Sequence, residues 1–311
     1  MEINLLENFI KFNLAFFLSW LLLKFFLPFL NIWFADKPNK RSSHLVTKPR
    51  AGGIIFVIFS IFDFFYNNQF GLYCLPLAIV GLLDDKYKLP SLLRYFVQTL
   101  TAVFLIFNSN FLNLISDNYF SPILIIFFVI ASTGIINFVN FMDGIDGLVG
   151  GCMLVILGTS LFFLNLEIYY LLGSLAGFLI LNWSPSKVFM GDVGSTFLGA
   201  FFVCILFQLD NLEKCLGIMT VSFPLLGDAF ICVIRRFFNN QNIFTPHKKH
   251  LYQRLVTAGW SHAKVSRIYI LGTLIITLSL VVGGLQWAFL AAAFEFMIGL
   301  WLDHKVAERF S

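Results

Sequence analysis

Residues 9–30 read FIKFNLAFFLSWLLLKFFLPFL, an apolar run that contains only two charged side chains. A helix that crosses a lipid bilayer needs about 20 mainly apolar residues, so this run is long enough to span. Over the 311 residues of the chain, 59% of side chains are hydrophobic and 12% are charged. Because a soluble domain carries roughly 25% charged residues, the composition excludes a water-soluble globular protein.

Polar residues, glycines and prolines divide the rest of the chain into similar apolar segments. Eleven of them begin near residues 9, 52, 71, 95, 121, 148, 168, 195, 214, 268 and 285. The sequence therefore predicts an all-α polytopic membrane protein with about eleven transmembrane helices, formed by a single domain over residues 1–311.

The basic residues indicate the orientation of these helices. If the N-terminus lies outside, the inward stretches are residues 31–50, 84–94, 137–147, 183–193, 234–267 and 303–311. These stretches hold eighteen of the 21 lysines and arginines. Because cytoplasmic loops are enriched in basic residues, we expect an external N-terminus and a cytoplasmic C-terminus. The first five stretches also gather the candidate site residues, which predicts an active site on the cytoplasmic face.

The first motif is GLLDDKYKLP at residues 81–90, where an apolar helix ends in two adjacent carboxylates, Asp84 and Asp85. Like charges repel, so a cation is expected nearby. Mg²⁺ commonly combines one or two carboxylates with the phosphate oxygens of a substrate. The alternative is a solvated helix end whose acids pair with Lys86 and Lys88.

The second motif is NFVNFMDGIDG at residues 137–147. It places Asn137, Asn140, Asp143 and Asp146 at three-residue steps. Residues three apart share a face on a helical turn, so the four polar groups could act together. A capping or turn role would account for one aspartate and one glycine, not for four polar side chains in register.

The third motif is FMGDVGS at residues 189–195, a glycine-rich turn that opens into an apolar helix. Free N–H groups at a helix N-terminus favour phosphate binding. The alternative is that Asp192 or Ser195 merely caps the helix. Because the chain has neither a Walker A motif nor a G-x-G-x-x-G motif, an ordinary nucleotide-binding fold is not predicted.

The fourth motif is PHKKHLYQRL at residues 246–255. Leu251 and Leu255 lie one helical turn apart among basic residues, which predicts an amphipathic helix lying in the membrane interface. His247 and His250 have no third ligand nearby in the sequence, and none of the five cysteines forms a CxxC pair, so zinc is disfavoured. Contact of the histidines with phosphate is predicted instead.

The fifth motif combines DKPNKRSSH at residues 36–44 with KPRAGG at residues 48–53. The enrichment of basic residues in cytoplasmic loops accounts for the lysines and arginines of this motif, but it does not account for the turn from Pro49 to Gly53. Elsewhere, Asp228 precedes Arg235 and Arg236 in the ninth apolar segment, and we expect it to pair with them.

With these five motifs in this order, residues 36 to about 262 resemble the polyprenyl-phosphate N-acetylhexosamine-1-phosphate transferases, glycosyl transferase family 4. The resemblance implies transfer of a sugar 1-phosphate from a UDP-N-acetylhexosamine to undecaprenyl phosphate, with release of UMP. It further implies Mg²⁺ or Mn²⁺ as cofactor, membrane lipid as surroundings, a bacterial inner membrane as location and a homodimer, with no nucleic-acid partner.

The resemblance also assigns roles to individual residues. It places metal binding on Asp192 and Asp85, and stacking against uracil on Phe189. The residues that it implies as catalytic are Asp84, Asp85, Asp192 and His250. The residues that it implies as substrate-binding are Arg50, Lys88, Asn137, Asn140, Asp143, Asp146, Phe189 and His247.

Within the family, RSSH followed by PRAGG is similar to the branch that initiates O-antigen and common-antigen synthesis. The peptidoglycan-precursor branch has three consecutive histidines in the last large loop, and residues 247–254 lack them. Tyr252 and Gln253 occupy positions where common-antigen enzymes usually have histidine. The resemblance is therefore closer to enzymes that use 6-deoxy sugars such as UDP-N-acetylfucosamine or UDP-N-acetylquinovosamine.

Two other classes of function remain open from the sequence. A transporter places ionisable groups near the bilayer midplane, and Asp63, Glu167 and Glu295 lie in or beside apolar segments. A non-catalytic lipid-binding scaffold is the second alternative. Loss of turnover on neutralising Asp192 would separate an enzyme from both.

Overall fold

The computed structural model describes residues 2–36, 46–66, 68–109, 121–164, 166–209, 211–242, 245 and 247–310. A 3₁₀ helix covers Asp63–Tyr66, and a short antiparallel pair joins β1, Ala35–Asp36, to β2, Lys48–Pro49. The α-helices of these residues are α1 Glu2–Trp33, α2 Ile54–Phe62, α3 Phe70–Tyr87, α4 Ser91–Phe107, α5 Ser121–Met142, α6 Leu148–Leu164, α7 Tyr169–Asn182, α8 Gly191–Gln208, α9 Leu212–Val221, α10 Phe223–Phe238, α11 Leu251–Thr257 and α12 His262–Lys305.

The prediction of an all-α membrane protein is confirmed. By length and composition, α1, α5, α8 and α12 could each cross a membrane. The bent pair α9 and α10, which meet at 78°, could form a fifth span. Each of the eleven predicted apolar segments falls on a helix, but α2, α4, α6 and α7 are short. The number of spans and their orientation stay predictions.

The long helix α12 is a hairpin of two limbs. Gly284 has φ 75° and ψ −169°, which no α-helix accommodates. The carboxylate of Glu295 lies against Gly272, where a β-carbon would collide with it. Because these residues are nearly equidistant from Gly284, the limbs run antiparallel. The predicted segments near residues 268 and 285 are therefore two limbs of one hairpin.

Helix α8 forms the centre of the bundle. Nearly all of its residues are buried, and it packs against α3 on one side and α5 on another. Helix α7 packs against α1 and α2, while α12 packs against α6 and α9. The buried side chains along α8 are mainly aromatic and aliphatic, so the helix is fixed by packing all round.

Two glycines allow α3 and the start of α8 to approach closely. Gly191 has a φ of +75°, a conformation that favours glycine, and a β-carbon there would collide with the carboxylate of Asp85. On α3, a β-carbon at Gly81 would meet the backbone of Asp192. The carboxyl end of α3 and the N-terminus of α8 are therefore brought together.

The helix predicted around Leu251 and Leu255 exists as α11, but one face of it is buried in the protein, and its location in the membrane interface stays a prediction. Tyr252, Arg254 and Leu255 are all buried within the protein. Arg254 forms an ion pair with Asp303 at the end of the second α12 limb. It also donates a hydrogen bond to the carbonyl of Glu308 at 2.8 Å. The basic residue that suggested a surface helix instead attaches α11 to the hairpin.

Candidate active site

A cavity of about 510 Å³ opens among α3, α4, α5, the start of α8 and the segment that leads into α11. The predicted site residues that line it are Asn137, Asn140, Asp192, His247 and His250. Arg94, Gln98 and Gln253 add polar groups that the sequence analysis did not single out. The second, third and fourth motifs therefore meet at one place.

Arg94, in the first turn of α4, connects the first and third motifs. Its Nη1 lies 2.9 Å from Oδ2 of Asp84 and 3.2 Å from Oδ2 of Asp192. The sequence analysis missed this residue, although Arg94 ends the inward stretch at residues 84–94. The placement of a cation between two carboxylates follows only from the approach of α3 to α8.

The same geometry tests whether these residues fit a divalent cation. One carboxylate oxygen of Asp84 and one of Asp192 converge on a single cationic nitrogen. Carboxylate oxygens are the ligands that Mg²⁺ and Mn²⁺ prefer. The donor set therefore fits such an ion, with Arg94 as the group that balances the acidic charge.

Asp85 points toward the N-terminus of α8. Its Oδ1 accepts the N–H of Asp192 at 3.0 Å, and its Oδ2 accepts the N–H of Val193 at 3.1 Å. Asp85 thus supplies the cap that the sequence analysis offered to Asp192 or Ser195, whose hydroxyl instead donates to the Gly191 carbonyl. Each Asp85 oxygen keeps a free lone pair, and its role as a metal ligand stays a prediction.

Asn137 and Gln98 form a reciprocal pair of amide hydrogen bonds at the cavity wall. Asn137 donates to Gln98 Oε1 at 2.8 Å, and Gln98 donates to Asn137 Oδ1 at 3.2 Å. Asn140 lies one turn further along α5 and faces the same cavity. The pairing fixes the orientation of both amides across α4 and α5.

Asp146 belongs to a second cluster, beside the cavity. Its carboxylate accepts the N–H and the hydroxyl of Ser186, and it lies 3.4 Å from Nδ1 of His262 and 3.7 Å from Nζ of Lys48. Burial opposes its charge, but the hydrogen bonds from His262 and Ser186 and the charge of Lys48 hold the pKa of Asp146 at about 2. Asp146 is therefore a carboxylate at physiological pH.

Lys48 joins this cluster to the third motif. Its Nζ lies 5.2 Å from the centre of the Phe189 ring and 2.9 Å from Oγ of Ser186. Lys48 is the first residue of the KPRAGG motif, and its spacing in the sequence does not predict this role. The ring that was predicted to stack on uracil thus has a cation beside it, and that cation pairs in turn with Asp146.

The PRAGG turn has a structural explanation in backbone pairing with the third motif. Phe189 N–H donates to the Pro49 carbonyl, and Gly52 N–H donates in return to the Phe189 carbonyl. Arg50 pairs with Asp36 at 2.9 Å. Residues 37–45, which include the RSSH motif, lie outside the described residues. Lys88 is exposed after the end of α3, and its role stays a prediction.

Asp143 follows the last residue of α5 and is surrounded by other carboxylates. Burial and the charge of Asp192 raise its pKa from 3.8 to about 7, against the opposing effect of Arg50. Ionisation of Asp143 therefore opposes folding unless a cation compensates it.

Replacement of Asp143 by asparagine should stabilise the metal-free protein in a pH-dependent way. A carboxyl group whose pKa is raised by folding contributes stability at low pH that is lost as the pH rises to 7. The gain from the neutral amide should grow between about pH 4 and pH 7, toward an upper bound of about 4 kcal/mol. Thermal unfolding in EDTA at pH 5 and pH 8 measures it. The exposed Glu308→Gln variant is the control, and an equal shift at both pH values would contradict the prediction.

His247 and His250 stack against each other with ring centres 4.9 Å apart. Burial, together with nearby positive charge from Arg236, lowers the pKa of His250 to about 4. Burial, the charge of His250 and the cations Arg236 and Lys249 lower the pKa of His247 to about 3. Both imidazoles are therefore neutral at physiological pH and act as hydrogen-bonding groups or metal ligands rather than as cations.

Asp228 holds the segment that carries these histidines. It accepts the N–H groups of Leu251 and Tyr252 at 2.8 and 3.1 Å, and the hydroxyl of Tyr269 at 2.7 Å. The expected pairing with Arg235 and Arg236 is not observed, because Arg235 pairs with Asp303 and Arg236 donates to the Asn242 carbonyl and the Thr245 hydroxyl. Asp228 caps α11 from a different helix, which sequence spacing could not reveal.

A helical membrane bundle that gathers carboxylates, amides, imidazoles and an arginine around one cavity is typical of an integral membrane enzyme for charged substrates. The model of glycosyl transferase family 4 matches residues 69–210. A probable undecaprenyl-phosphate N-acetylglucosaminyl 1-phosphate transferase of Bacillus subtilis is 29% identical, covering 86% of this chain and 83% of that protein.

Two further relatives extend the similarity. An undecaprenyl-phosphate alpha-N-acetylglucosaminyl 1-phosphate transferase of Thermotoga maritima is 33% identical over 70% of this chain and 72% of its own. A phospho-N-acetylmuramoyl-pentapeptide-transferase of Dictyoglomus turgidum is 31% identical over 87% of this chain and 95% of its own. The chain belongs to glycosyl transferase family 4, and the expected resemblance is confirmed.

Proposed function

We propose that this protein transfers an N-acetylhexosamine 1-phosphate from a UDP-sugar to undecaprenyl phosphate and releases UMP. The observation that carries the proposal is the convergence of Asp84 and Asp192 on Arg94 at the wall of the cavity. The names of its relatives support undecaprenyl phosphate as acceptor. We place the reaction at the cytoplasmic face of a bacterial inner membrane, where the basic loops are expected.

The proposed reaction is a direct displacement. An oxygen of the lipid phosphate attacks the sugar-linked phosphorus. The bond from this phosphorus to the oxygen that bridges the diphosphate then breaks, and UMP leaves with the electron pair. Catalysis of this type depends on positioning and charge neutralisation. Arg94 supplies positive charge, and the amide of Asn140 supplies hydrogen bonds to the substrate. Asn137 donates to Gln98 and to the Thr133 carbonyl, so it offers the substrate only an acceptor oxygen.

Asp84 is better suited to orientation than to proton removal. Its Oδ1 accepts the N–H of Leu89 at 2.6 Å, and its Oδ2 contacts Arg94. A phosphate monoester has its second pKa near 6, so the acceptor is already largely dianionic at neutral pH. Asp84 therefore holds Arg94 and the surrounding groups in place.

Asp192, with Asp84 or Asp85, would hold Mg²⁺ or Mn²⁺ in this proposal. When bound, such an ion neutralises diphosphate charge. The protein's own contribution is to present the oxygens of α3 and α8 side by side, which the close packing at Gly81 and Gly191 permits.

The cluster around Asp146 is assigned to the uridine end of the donor. Phe189 presents an aromatic face, Lys48 lies beside the ring, and the buried Asp146 holds Lys48 in position. This division places the nucleoside next to β2 and the diphosphate next to Arg94.

The sugar is proposed to be a 6-deoxy N-acetylhexosamine that starts O-antigen synthesis. Tyr252 is buried and donates its hydroxyl to the Phe141 carbonyl, so it cannot replace a cavity-facing histidine. Gln253 does line the cavity, and its Oε1 accepts the N–H of His250. A neutral amide in this position is compatible with a donor that lacks one hydroxyl.

The expected result with purified protein, undecaprenyl phosphate and Mg²⁺ is release of UMP from one donor in a panel of UDP-N-acetylhexosamines. The panel includes the 6-deoxy sugars, and EDTA should abolish release because the carboxylates then lose their cation. Omission of the lipid is the control for hydrolysis. No UMP from any donor with well-folded protein would overturn the proposed function, and preference for UDP-N-acetylglucosamine would overturn only the sugar.

The contacts of the described residues do not favour the transporter alternative. Asp63 accepts the N–H groups of Tyr170 and Leu171 at the start of α7. Glu167 pairs with the buried Lys11 at 3.2 Å. These two acids have structural partners, while Glu295 lies against Gly272 inside the α12 hairpin.

A further inference from the structure

A cysteine on α10 lies beside the two stacked histidines. Sγ of Cys232 and one ring nitrogen each of His247 and His250 lie within 4.8 Å of one another. The sequence analysis disfavoured zinc because no third ligand lies near the histidines in the chain. The fold supplies a third ligand from α10, because Cys232 on that helix lies close to the histidines in space although it precedes His247 by fifteen residues in the chain.

One ring nitrogen in this group has no partner. His250 is 2% exposed, and its buried Nδ1 makes no hydrogen bond of normal geometry among the described residues, although the side chain faces the N–H of Gln253 in the first turn of α11. The nearest carboxylate oxygen, Oδ1 of Asp228, is 4.0 Å away and is already used by the N–H of Leu251. Buried polar atoms without partners are uncommon in folded proteins. The unpartnered nitrogen is thus a second, independent indication of a ligand.

We propose that Cys232, His247 and His250 bind a borderline or soft divalent cation such as Zn²⁺. Two imidazoles and a thiolate are preferred zinc ligands, and three protein ligands leave a fourth position open. Bond lengths of about 2.0 to 2.3 Å place tetrahedral ligands roughly 3.3 to 3.8 Å apart, so the side chains need to close by about 1 Å. On binding, the thiol proton is released to solvent.

The charges around Cys232 act in both directions. Burial and the charge of Asp228 oppose a thiolate and outweigh the positive charges of Arg236, Arg254 and Arg235, so the thiol loses its proton only when a cation binds. The thiolate in turn offsets part of the cation's charge. His247 currently accepts a hydrogen bond from the N–H of Lys249 through Nδ1, and ligation through that atom would exchange this bond for a metal bond.

The site is chemically distinct from the carboxylate pair. Sulfur and nitrogen ligands select Zn²⁺, Co²⁺ or Cu²⁺, whereas the oxygens of Asp84 and Asp192 suit Mg²⁺ or Mn²⁺. His247 and His250 nevertheless line the same cavity as Asp192. Zn²⁺ bound there would withdraw both histidines from the substrate. This consequence rests on the proposed transferase function, and it predicts inhibition by Zn²⁺ in the presence of Mg²⁺.

Titration of the purified full-length protein with Co²⁺ tests the binding site without any activity assay. We expect one equivalent to give a thiolate-to-cobalt charge-transfer band and the intense visible bands of a tetrahedral site, both removed by Zn²⁺. Cys232→Ser should remove the charge-transfer band and weaken Co²⁺ binding at least about tenfold. Cys215→Ser, which changes a partly exposed cysteine on α9, should behave as wild type.

The outcomes separate this site from the proposed function. Absence of the band in wild-type protein, or its persistence in a Cys232→Ser variant with an unchanged melting temperature, would overturn the site. If Cys232→Ser fails to fold, His247→Gln must remove the tetrahedral spectrum instead. In the UMP assay, Zn²⁺ should inhibit wild type and Cys215→Ser but not Cys232→Ser. Equal inhibition of all three proteins would overturn the proposal that Zn²⁺ inhibits through this site. If no UDP-sugar releases UMP, the proposed transferase function fails, but the Co²⁺ titration still tests the metal site.

Discussion

Replacement of Asp192 by asparagine should lower the rate of UMP release at least about a hundredfold, because it removes a carboxylate oxygen that would hold the divalent cation needed to balance the negative charge of the transition state. Oδ2 of Asp192 is one of two carboxylate oxygens that converge on Arg94. Asparagine keeps the shape of the side chain. The hydrogen bond from residue 192 to the Asp85 carboxylate is donated by the backbone N–H of residue 192, so the substitution leaves it in place. We therefore expect the variant to fold.

Steady-state rates at several Mg²⁺ concentrations measure this effect. Loss of a cation ligand should move the Mg²⁺ dependence to higher concentration, whereas loss of a purely structural contact should lower the rate equally at all concentrations. Glu308→Gln neutralises an exposed carboxylate and should retain full activity. An Asp192→Asn variant with more than about a third of wild-type activity would contradict the assignment of this site.

The second large effect is expected from Asp228→Asn. The carboxylate accepts three hydrogen bonds, two from the N-terminus of α11 and one from Tyr269. An amide has one acceptor oxygen, so at least one buried donor loses its partner, at a cost of about 1–3 kcal/mol. Because α11 follows His250 directly, we expect the rate of UMP release to fall about tenfold or more.

Tyr269→Phe provides a graded control, because it removes one of the three donors and leaves the carboxylate in place. It should cost about 1 kcal/mol and change the rate little. A positioning role for Asp228 predicts a lower kcat with a nearly unchanged KM for the UDP-sugar, measured beside the melting temperature of each variant. Equal rate losses in Asp228→Asn and Tyr269→Phe would refute the positioning role.

Most of the helices could be predicted because they are apolar runs, which are read directly from the sequence. The same holds for the clustering of the motifs, since Asp84, Asn140, Asp192 and His250 all lie in stretches between apolar segments. Asn140, Asp192 and His250 line one cavity, and Asp84 contacts its Arg94, because these stretches share one end of a helical bundle.

The residues that were missed depend on approaches between distant parts of the chain. Arg94 reaches Asp192 across 98 positions, and Lys48 reaches Ser186 across 138. Cys232 looked like ordinary apolar filler because nothing within its own segment marks it. For Asp228, the nearby arginines suggested an ion pair, but uncapped N–H groups of α11 compete more effectively for a buried carboxylate.

The contact between Arg254 and Asp303 sets an order of events during biosynthesis. Arg254 lies on α11, which leads the segment of the two histidines into the bundle, whereas Asp303 belongs to the second limb of the α12 hairpin. A nascent chain that has not yet inserted both limbs therefore lacks the partner of a buried arginine. The buried arginine next to the histidine segment therefore gains its carboxylate partner only after nearly all of the chain has been synthesised.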